Sequence, residues 1–534
     1  MHAIDRMQKG ARGNLELLAR RCSGSADKNG GAVTLPATGR GSLAPLSLPR
    51  IALLALPLGI LALSGCKPVG PNYQRPSFNA PASYREVGAS SVVPPPNPQG
   101  GGWKPADPSD GMIRGKWWEI YKDTELNKLE ETASSNNVQL RQALDNYLAA
   151  REEVAVARSN FFPTLAANVA VSRSRGSYNQ PGAPPPSSLQ NNVYQLAGQA
   201  SWEPDFFGRI RRLVEQSRAN AQVSAAVMAD LDLTLHAELA TDYFELRGLD
   251  SEAKLLRDTV ADEEHQLDLT QRLLSGGIDT AVDVAQAQTL LDNTRAQLVE
   301  VGVARAQYEH AIGTLDNVNL STFGLPFMPL DLPLPDVPLG VPSQLLERRP
   351  DIATAERSVD AANAQIGIAI AAFYPTIPIV ATGGFESTHP GTWIQGPSSL
   401  WSLGAQATEL LFDAGQRHAF TNIARLNYDA AVNGYRNTVF QAFDDVENQL
   451  SSLRILEQES TVEQQAVASA QNSFNLSNQR FRGGVTTYLE VLTAEQTLLQ
   501  DQSTAISLST RQFAASVGLV RSLGGGWDVT QMPH

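Results

Sequence analysis

This 534-residue chain repeats itself. Phe162-Pro163-Thr164 recurs as Tyr374-Pro375-Thr376, and Asp283-Val284 as Glu490-Val491. Arg272-Leu273-Leu274-Ser275-Gly276-Gly277-Ile278 recurs, with a small slip, as Asn478-Gln479-Arg480-Phe481-Arg482-Gly483-Gly484-Val485. The spacing is roughly 210 residues, well beyond the ~20–50 of short helical solenoids, so a whole supersecondary unit is duplicated. Each unit reads strand, strand, very long helix, Gly-Gly turn, long helix. The chain holds 32 prolines, yet none lies from Asp205 to Leu325 or from Ser398 to Met532, so nothing there interrupts a helix. Leu235, Leu239, Tyr243, Leu246 and Leu249 follow heptad spacing, as do Val439, Phe443, Val446, Leu450 and Leu453, the seam of packed antiparallel helices. A helix from Arg209 to Ser275 rises about 100 Å at ~1.5 Å per residue, longer than any compact domain needs. Left-handed C′ glycines at Gly276-Gly277 and Gly483-Gly484 are expected to end these helices and begin the return.

The strand pairs alternate. Leu165, Ala167, Val169 and Val171 face one way, Thr164, Asn168, Ser172 and Ser174 the other; Tyr194, Leu196 and Ala200 oppose Gln195, Gln199 and Ser201. In the second unit Ile377, Ile379, Ala381 and Phe385 oppose Thr376 and Thr382, and Trp401, Leu403 and Ala405 oppose Ser402, Gly404 and Gln406. Apolar-out, polar-in alternation over ~10 residues with aromatics at an end is the pattern of a transmembrane barrel; a soluble hairpin half-buried on a core would share it. The tips, Gly176–Gln190 and Ser387–Ser399, are Gly/Pro/Ser-rich and read as exposed loops. Four strands cannot close a barrel, and hydrocarbon forbids an open sheet edge. Two copies would give eight strands with a lumen filled by side chains; a conducting pore needs three or more.

An apolar run from Ile51 to Leu63 follows Arg50 and is too short to span ~30 Å of hydrocarbon. It fits a secretory h-region. Leu63-Ser64-Gly65-Cys66 follows, with the form of a lipobox, so Cys66 is the expected lipidated N-terminus of the mature protein. Lys67 stands where an aspartate would retain a lipoprotein in the inner membrane, which points to the outer membrane. Residues 1–49 make an unusually long polar preamble, and a start codon downstream of Met1 is expected. The other cysteine, Cys22, lies in this leader, so no disulfide is expected.

Formal net charge is −13; the first 65 residues carry eight Lys/Arg against three Asp/Glu, which leaves −18 on the rest and argues against nucleic acid as a partner. None of the seven histidines belongs to an H-x-x-x-H pair or a Cys/His set, so no zinc site is legible. No phosphate-binding glycine loop or nucleophile elbow occurs, and no cofactor is expected beyond the covalent lipid on Cys66.

From Cys66 to Trp527 the chain resembles the TolC/OprM (NodT-type) outer-membrane efflux lipoproteins of RND tripartite pumps. The residues that carry the resemblance are Cys66-Lys67-Pro68-Val69-Gly70-Pro71-Asn72-Tyr73, Trp117-Trp118 with Leu126 and Leu129, and Trp202-Glu203-Pro204-Asp205-Phe206-Phe207-Gly208-Arg209. Leu346-Glu347-Arg348-Arg349-Pro350-Asp351-Ile352, Phe412-Asp413-Ala414-Gly415 and Leu523-Gly524-Gly525-Gly526-Trp527 complete them. The resemblance implies an α+β membrane fold: a homotrimeric 12-stranded transmembrane β-barrel, four strands per chain, continued by a long α-helical periplasmic barrel. It implies the role of exit duct in tripartite efflux, with a periplasmic membrane-fusion adaptor, an inner-membrane RND-type pump and outer-membrane lipid as partners. The alternatives are the duct of a type I protein secretion system, or a periplasmic coiled-coil scaffold lipoprotein.

Such a tube must close at its periplasmic tip, where the helices turn. Leu489, Thr493 and Gln496 share one helical face just beyond the second turn. In the resembling family this face carries apolar, acidic and basic rings. Leu489 fits the apolar ring, Glu490 matches a gate carboxylate and Asp283 is its counterpart in the first repeat, whereas Thr493 and Gln496 replace charges, so closure is expected to rest more on leucine packing than on charge. Arg348-Arg349-Pro350-Asp351 reads as a structural helix start, with Asp351 and Glu356 at the positive end.

The expected divisions are a leader and lipoprotein signal peptide over 1–65, an extended Pro-rich linker over 66–115 and a first repeat over 116–325. The first repeat has its β-hairpin at about 163–204 and its helical hairpin at about 208–315. A Pro-rich linker at 326–345 precedes a second repeat over 346–527, with hairpins at about 375–411 and 415–523, and a tail at 528–534.

Overall fold

The computed structural model describes residues 67–78, 80–81, 83–86, 115–177, 179, 190–337 and 345–527. The leader, Cys66, residues 87–114, the tip of the first strand hairpin, residues 338–344 of the second linker and the 528–534 tail lie outside the described residues.

After a 3₁₀ turn at Trp117–Tyr121, α1 (Thr124–Asn136) and α2 (Val138–Ser159) lead into strands β1 (Thr164–Arg175) and β2 (Gln190–Trp202). Helices α3 (Arg209–Ser275) and α4 (Ala281–Leu315) complete the first unit. One helical turn, Leu345–Arg348, opens the second, followed by α5 (Pro350–Ala371), β3 (Ile379–Ser387), β4 (Ser399–Ala405), α6 (Gln416–Arg482) and α7 (Tyr488–Ser522). The duplication holds helix by helix: α2 and α5 have 22 residues each, α3 and α6 have 67, and α4 and α7 have 35.

The strands form one antiparallel sheet in the order β1-β2-β3-β4, with β1 and β4 as its edges. Residues directly opposite in such a ladder share a face. The register lines up Leu165, Ala200, Ala381 and Leu403 on one side and Ala166, Gln199, Thr382 and Ser402 on the other. Both hairpins therefore contribute to one continuous apolar face, which a one-residue slip would have mixed with polar side chains. On that face Leu165, Val169, Val171, Trp401 and Leu403 stay 63–83% exposed.

Each long helix starts at a matched junction. Gly208 (φ 83) and Gly415 (φ 89) stand at the N-caps. Asp205 accepts from the backbone N–H groups of Ile210 and Arg211 and ion-pairs with Arg211, while Asp413 accepts from Gly415 and Arg417 and ion-pairs with Arg417. Each carboxylate satisfies orphan donors of the helix start, which explains the Asp in both repeated motifs.

Between sheet and tip, Trp117, Trp118, Tyr121, Leu126 and Leu129 pack against Leu239, Tyr243, Phe244 and Leu246 of α3 and Phe513 and Val517 of α7. Arg349 bridges the waist: its guanidinium reaches Asp351, Asp445 on α6 and the Ser522 carbonyl on α7.

Two expectations need correction. The stretch after Cys66 is extended but no free linker. Tyr84 is 2% exposed against Val446 and Leu519, Phe78 stacks on Phe443 with ring centroids 5.8 Å apart, and the Tyr73 hydroxyl donates to Glu356 at 3.1 Å. The buried Arg212 donates to the carbonyls of Val69 and Gly70 and to Asn72 Oδ1. Three aromatics at wide spacing thus anchor this Pro-rich strap to the helices. Glu356, read as a helix-end charge, is instead this buried acceptor, with Arg75 at 3.5 Å.

Candidate functional site

The helical hairpins turn in the same way in both units. At the first turn Ile278 N–H donates to the Leu273 carbonyl (2.9 Å) and Gly277 N–H to that of Leu274 (3.0 Å); at the second, Val485 donates to Arg480 and Gly484 to Phe481. This is the Schellman pattern, which needs a left-handed residue at C′. Only the second glycine of each pair meets that need: Gly277 has φ 74 and Gly484 φ 70, while Gly276 and Gly483 are right-handed C-caps. The expectation that both glycines of each pair are left-handed is therefore corrected to one.

Beyond the turns the two units diverge chemically. Thr280 and Asp283 form a capping box, the Asp283 carboxylate accepting from the Thr280 N–H (3.1 Å) and hydroxyl (2.5 Å). Thr487, at the same place before α7, makes no side-chain cap bond. Glu490 is free of that duty and lies 3.5 Å from Arg480, both half-exposed. Duplicated position thus does not carry a duplicated role: Asp283 fixes its own turn, and Glu490 is the acid turned outward.

Leu489 is 52% exposed, and the Thr493 hydroxyl, one turn on, donates to its carbonyl. Thr493 and Gln496 are exposed as well, and Gln496 lines a shallow groove with Ala285, Thr289 and Asn293 of α4. Ile278, Val282 and Val485 add apolar side chains 63–73% exposed at the turns. Behind this surface Phe481, Tyr488, Val491 and Ala287 make a buried cluster that fixes α7 against its neighbours.

Sequence reading missed what lies under the tip. Glu263 on α3 and Glu495 on α7 are 2% and 5% exposed. Glu263 accepts from the Thr294 hydroxyl at 2.9 Å, but its second oxygen, one Glu495 oxygen, Gln266 Oε1 and the Tyr488 hydroxyl have no partner. Burial pushes Glu263 up to about 7, with the Thr294 hydroxyl and the Arg295 charge pulling the other way. Burial, then the charges of Glu263 and Asp262, push Glu495 up to about 7. A signal was available: Tyr488, Val491, Glu495 and Leu498 follow the seam spacing, so an acid stands where an apolar residue is due.

Among the described residues no group of three or more His, Cys, Asp or Glu is placed to hold a metal, and no helix is long and apolar enough to cross a membrane.

A family model described as outer membrane efflux protein matches residues 129–318 and 341–525. The chain is similar to the probable efflux pump outer membrane protein TtgC of Pseudomonas putida (strain KT2440), 30% identical over 488 residues, 89% of this chain and 96% of that one. It is also 30% identical over 486 residues to the solvent efflux pump outer membrane protein SrpC of Pseudomonas putida, covering 91% and 99%. Among solved structures, the outer-membrane channel OprN superposes with a TM-score of 0.77 at 26% identity, over 86% of this chain and 99% of that one.

Proposed function

Because this chain belongs to the outer membrane efflux protein family, we infer that it forms the outer-membrane exit duct of a tripartite efflux system. The single observation that carries this is the four-stranded sheet: it exposes an apolar face, leaves both edges unpaired and runs at its far side into helices of 67 residues. Three copies close it into a 12-stranded barrel, and the long helices continue the barrel as a periplasmic tube. Transport is passive in this chain; energy enters through an inner-membrane RND-type pump and a periplasmic membrane-fusion adaptor. An adaptor that binds the open tip better than the closed one shifts the population by that difference in affinity. The closed tip is held by Leu489 from three copies, with Glu490, Thr493 and Gln496 on the same rim, while Asp283, Gly277 and Gly484 keep the turns in shape.

Lipidation at Cys66 is part of this reading. What supports it is where the strap leaves the body. Val69 N–H donates to the Phe207 carbonyl and Pro68 lies against Gly208, at the junction of β2 and α3. A diacylglycerol one residue before Lys67 would therefore enter the periplasmic leaflet beside the barrel wall. Cys66→Ala should abolish incorporation of radiolabelled palmitate, yet leave the protein in membranes washed with urea, because the barrel holds it. Complete release into the urea wash would refute the barrel and leave the scaffold lipoprotein standing.

A further inference from the structure

We propose that Arg173 and Arg175 form a binding site on the outer wall of the barrel for the phosphate groups of an outer-leaflet phosphoglycolipid of the lipid A type. The proposal rests on the barrel reading above and adds a ligand to it. Both arginines lie on β1 at the parity of Leu165, Val169 and Val171, and the register pairs Arg173 with Asn192 and Arg175 with Gln190, so they extend the lipid-facing row beyond its apolar part. Directly below that level Tyr194, opposite Val171, has its ring 5.7 Å from that of Trp393, an aromatic pair of the kind that marks a membrane interface. From Thr164 to Arg175 the strand rises about 36 Å at ~3.3 Å per residue, roughly 28 Å across the bilayer at a tilt of ~40° against an apolar band ~25 Å tall, with Arg173 roughly 5 Å lower and within reach of that edge by its long side chain. The guanidinium groups therefore emerge just past the hydrocarbon, at headgroup height.

Charge is segregated there. In a chain of net −13, residues 164–202 contain Arg173 and Arg175 and no Lys, Asp or Glu. The acid nearest in height, Glu386, pairs in register with Gln195 and so with the opposite, lumen-facing side of the sheet. Arg173 donates to Gln190 Oε1 at 3.1 Å, a neutral partner that orients the guanidinium without neutralising it. Two planar cations one strand-pleat apart can each take a phosphate bidentately, which a lysine cannot.

The test uses the detergent-purified full-length trimer and bisphosphorylated lipid A as probe, with dephosphorylated lipid A, phosphatidylglycerol and inorganic phosphate beside it. Two cations at a membrane surface, each contributing the usual increment, predict that Arg173→Gln/Arg175→Gln binds bisphosphorylated lipid A about 30-fold more weakly. Arg173→Lys/Arg175→Lys should fall between. Dephosphorylated lipid A should bind wild type and variant alike, and millimolar inorganic phosphate should not displace the glycolipid. Equal binding of lipid A to wild type and the Gln variant would overturn the site, and so would phosphatidylglycerol binding as tightly as lipid A. Unchanged conductance of the Gln variant in the same preparation separates failure of this site from failure of the barrel.

Discussion

Leu489→Ala/Glu490→Ala should convert a low, flickering, cation-favouring single-channel current into one several-fold larger and steadier. The magnitudes decide which substitution matters more. In one chain the Leu489 side chain is half-exposed at the end of the hairpin, and burying a leucine is worth about 1.5–3 kcal/mol. The Glu490–Arg480 pair, 3.5 Å apart with both side chains half-exposed, contributes at most about 1 kcal/mol. Leu489→Ala alone should therefore produce most of the rise in current. Glu490→Ala alone should leave the current small and reduce cation preference, since a ring of three carboxylates selects by field rather than by packing. Planar-bilayer recordings of the two single variants beside the double separate these contributions. Large, steady current already in the wild type would keep the pore and remove the gate from this ring.

The second large effect is expected at the buried acids. Glu263 and Glu495 sit near 7 when folded, against about 4.5 in the unfolded chain. A carboxyl raised in this way binds its proton more tightly in the folded state. Its folded form is most favoured below the unfolded value, and that advantage is lost as pH rises from about 4.5 through 7. Burial raises both; the negative charges of Glu263 and Asp262 add to the shift of Glu495, while the Thr294 hydroxyl and the Arg295 charge oppose that of Glu263. The tip helices should open locally more readily at pH 8 than at pH 5.5. Glu495→Gln, which keeps shape and removes the charge, should recover on the order of 3 kcal/mol of local stability at pH 8 and about half of that or less at pH 5.5. Hydrogen exchange of peptides covering 260–270 and 490–500, corrected for intrinsic rates, reads this directly. The same pH slope in Glu495→Gln as in wild type would show that the pair does not control the tip.

The long helices were legible because proline exclusion and heptad spacing are local signals summed over many residues, and the motif at Asp205 and Asp413 recurs because both helix starts need the same cap. The sheet was legible only as alternation; what makes that alternation decisive is the register that joins Leu196 of the first hairpin to Phe385 of the second, and pairing across that distance leaves no trace in a linear pattern. The strap was misread for a related reason. Tyr73, Phe78 and Tyr84 lie among prolines with no period, and their partners Glu356, Phe443 and Leu519 come from the far half of the chain. At the tip, spacing found the outward face of Leu489, Thr493 and Gln496. It could not tell Asp283 from Glu490, since Thr280-x-x-Asp283 and Thr487-x-x-Glu490 both have capping-box spacing and only the first forms the box.

The central claim is that one face of this sheet meets lipid and the other lines water. Leu403 is 69% exposed and Gln199 is exposed in a single chain, on opposite faces of the same sheet, so the claim separates them where exposure does not. The deciding measurement is labelling of Gln199→Cys and Leu403→Cys, each made separately, in intact outer membranes with a charged, membrane-impermeant maleimide. Gln199→Cys should react, while Leu403→Cys should be protected and yield only to a lipid-soluble maleimide. Equal, rapid labelling of both by the charged reagent would contradict it and make the hairpins soluble.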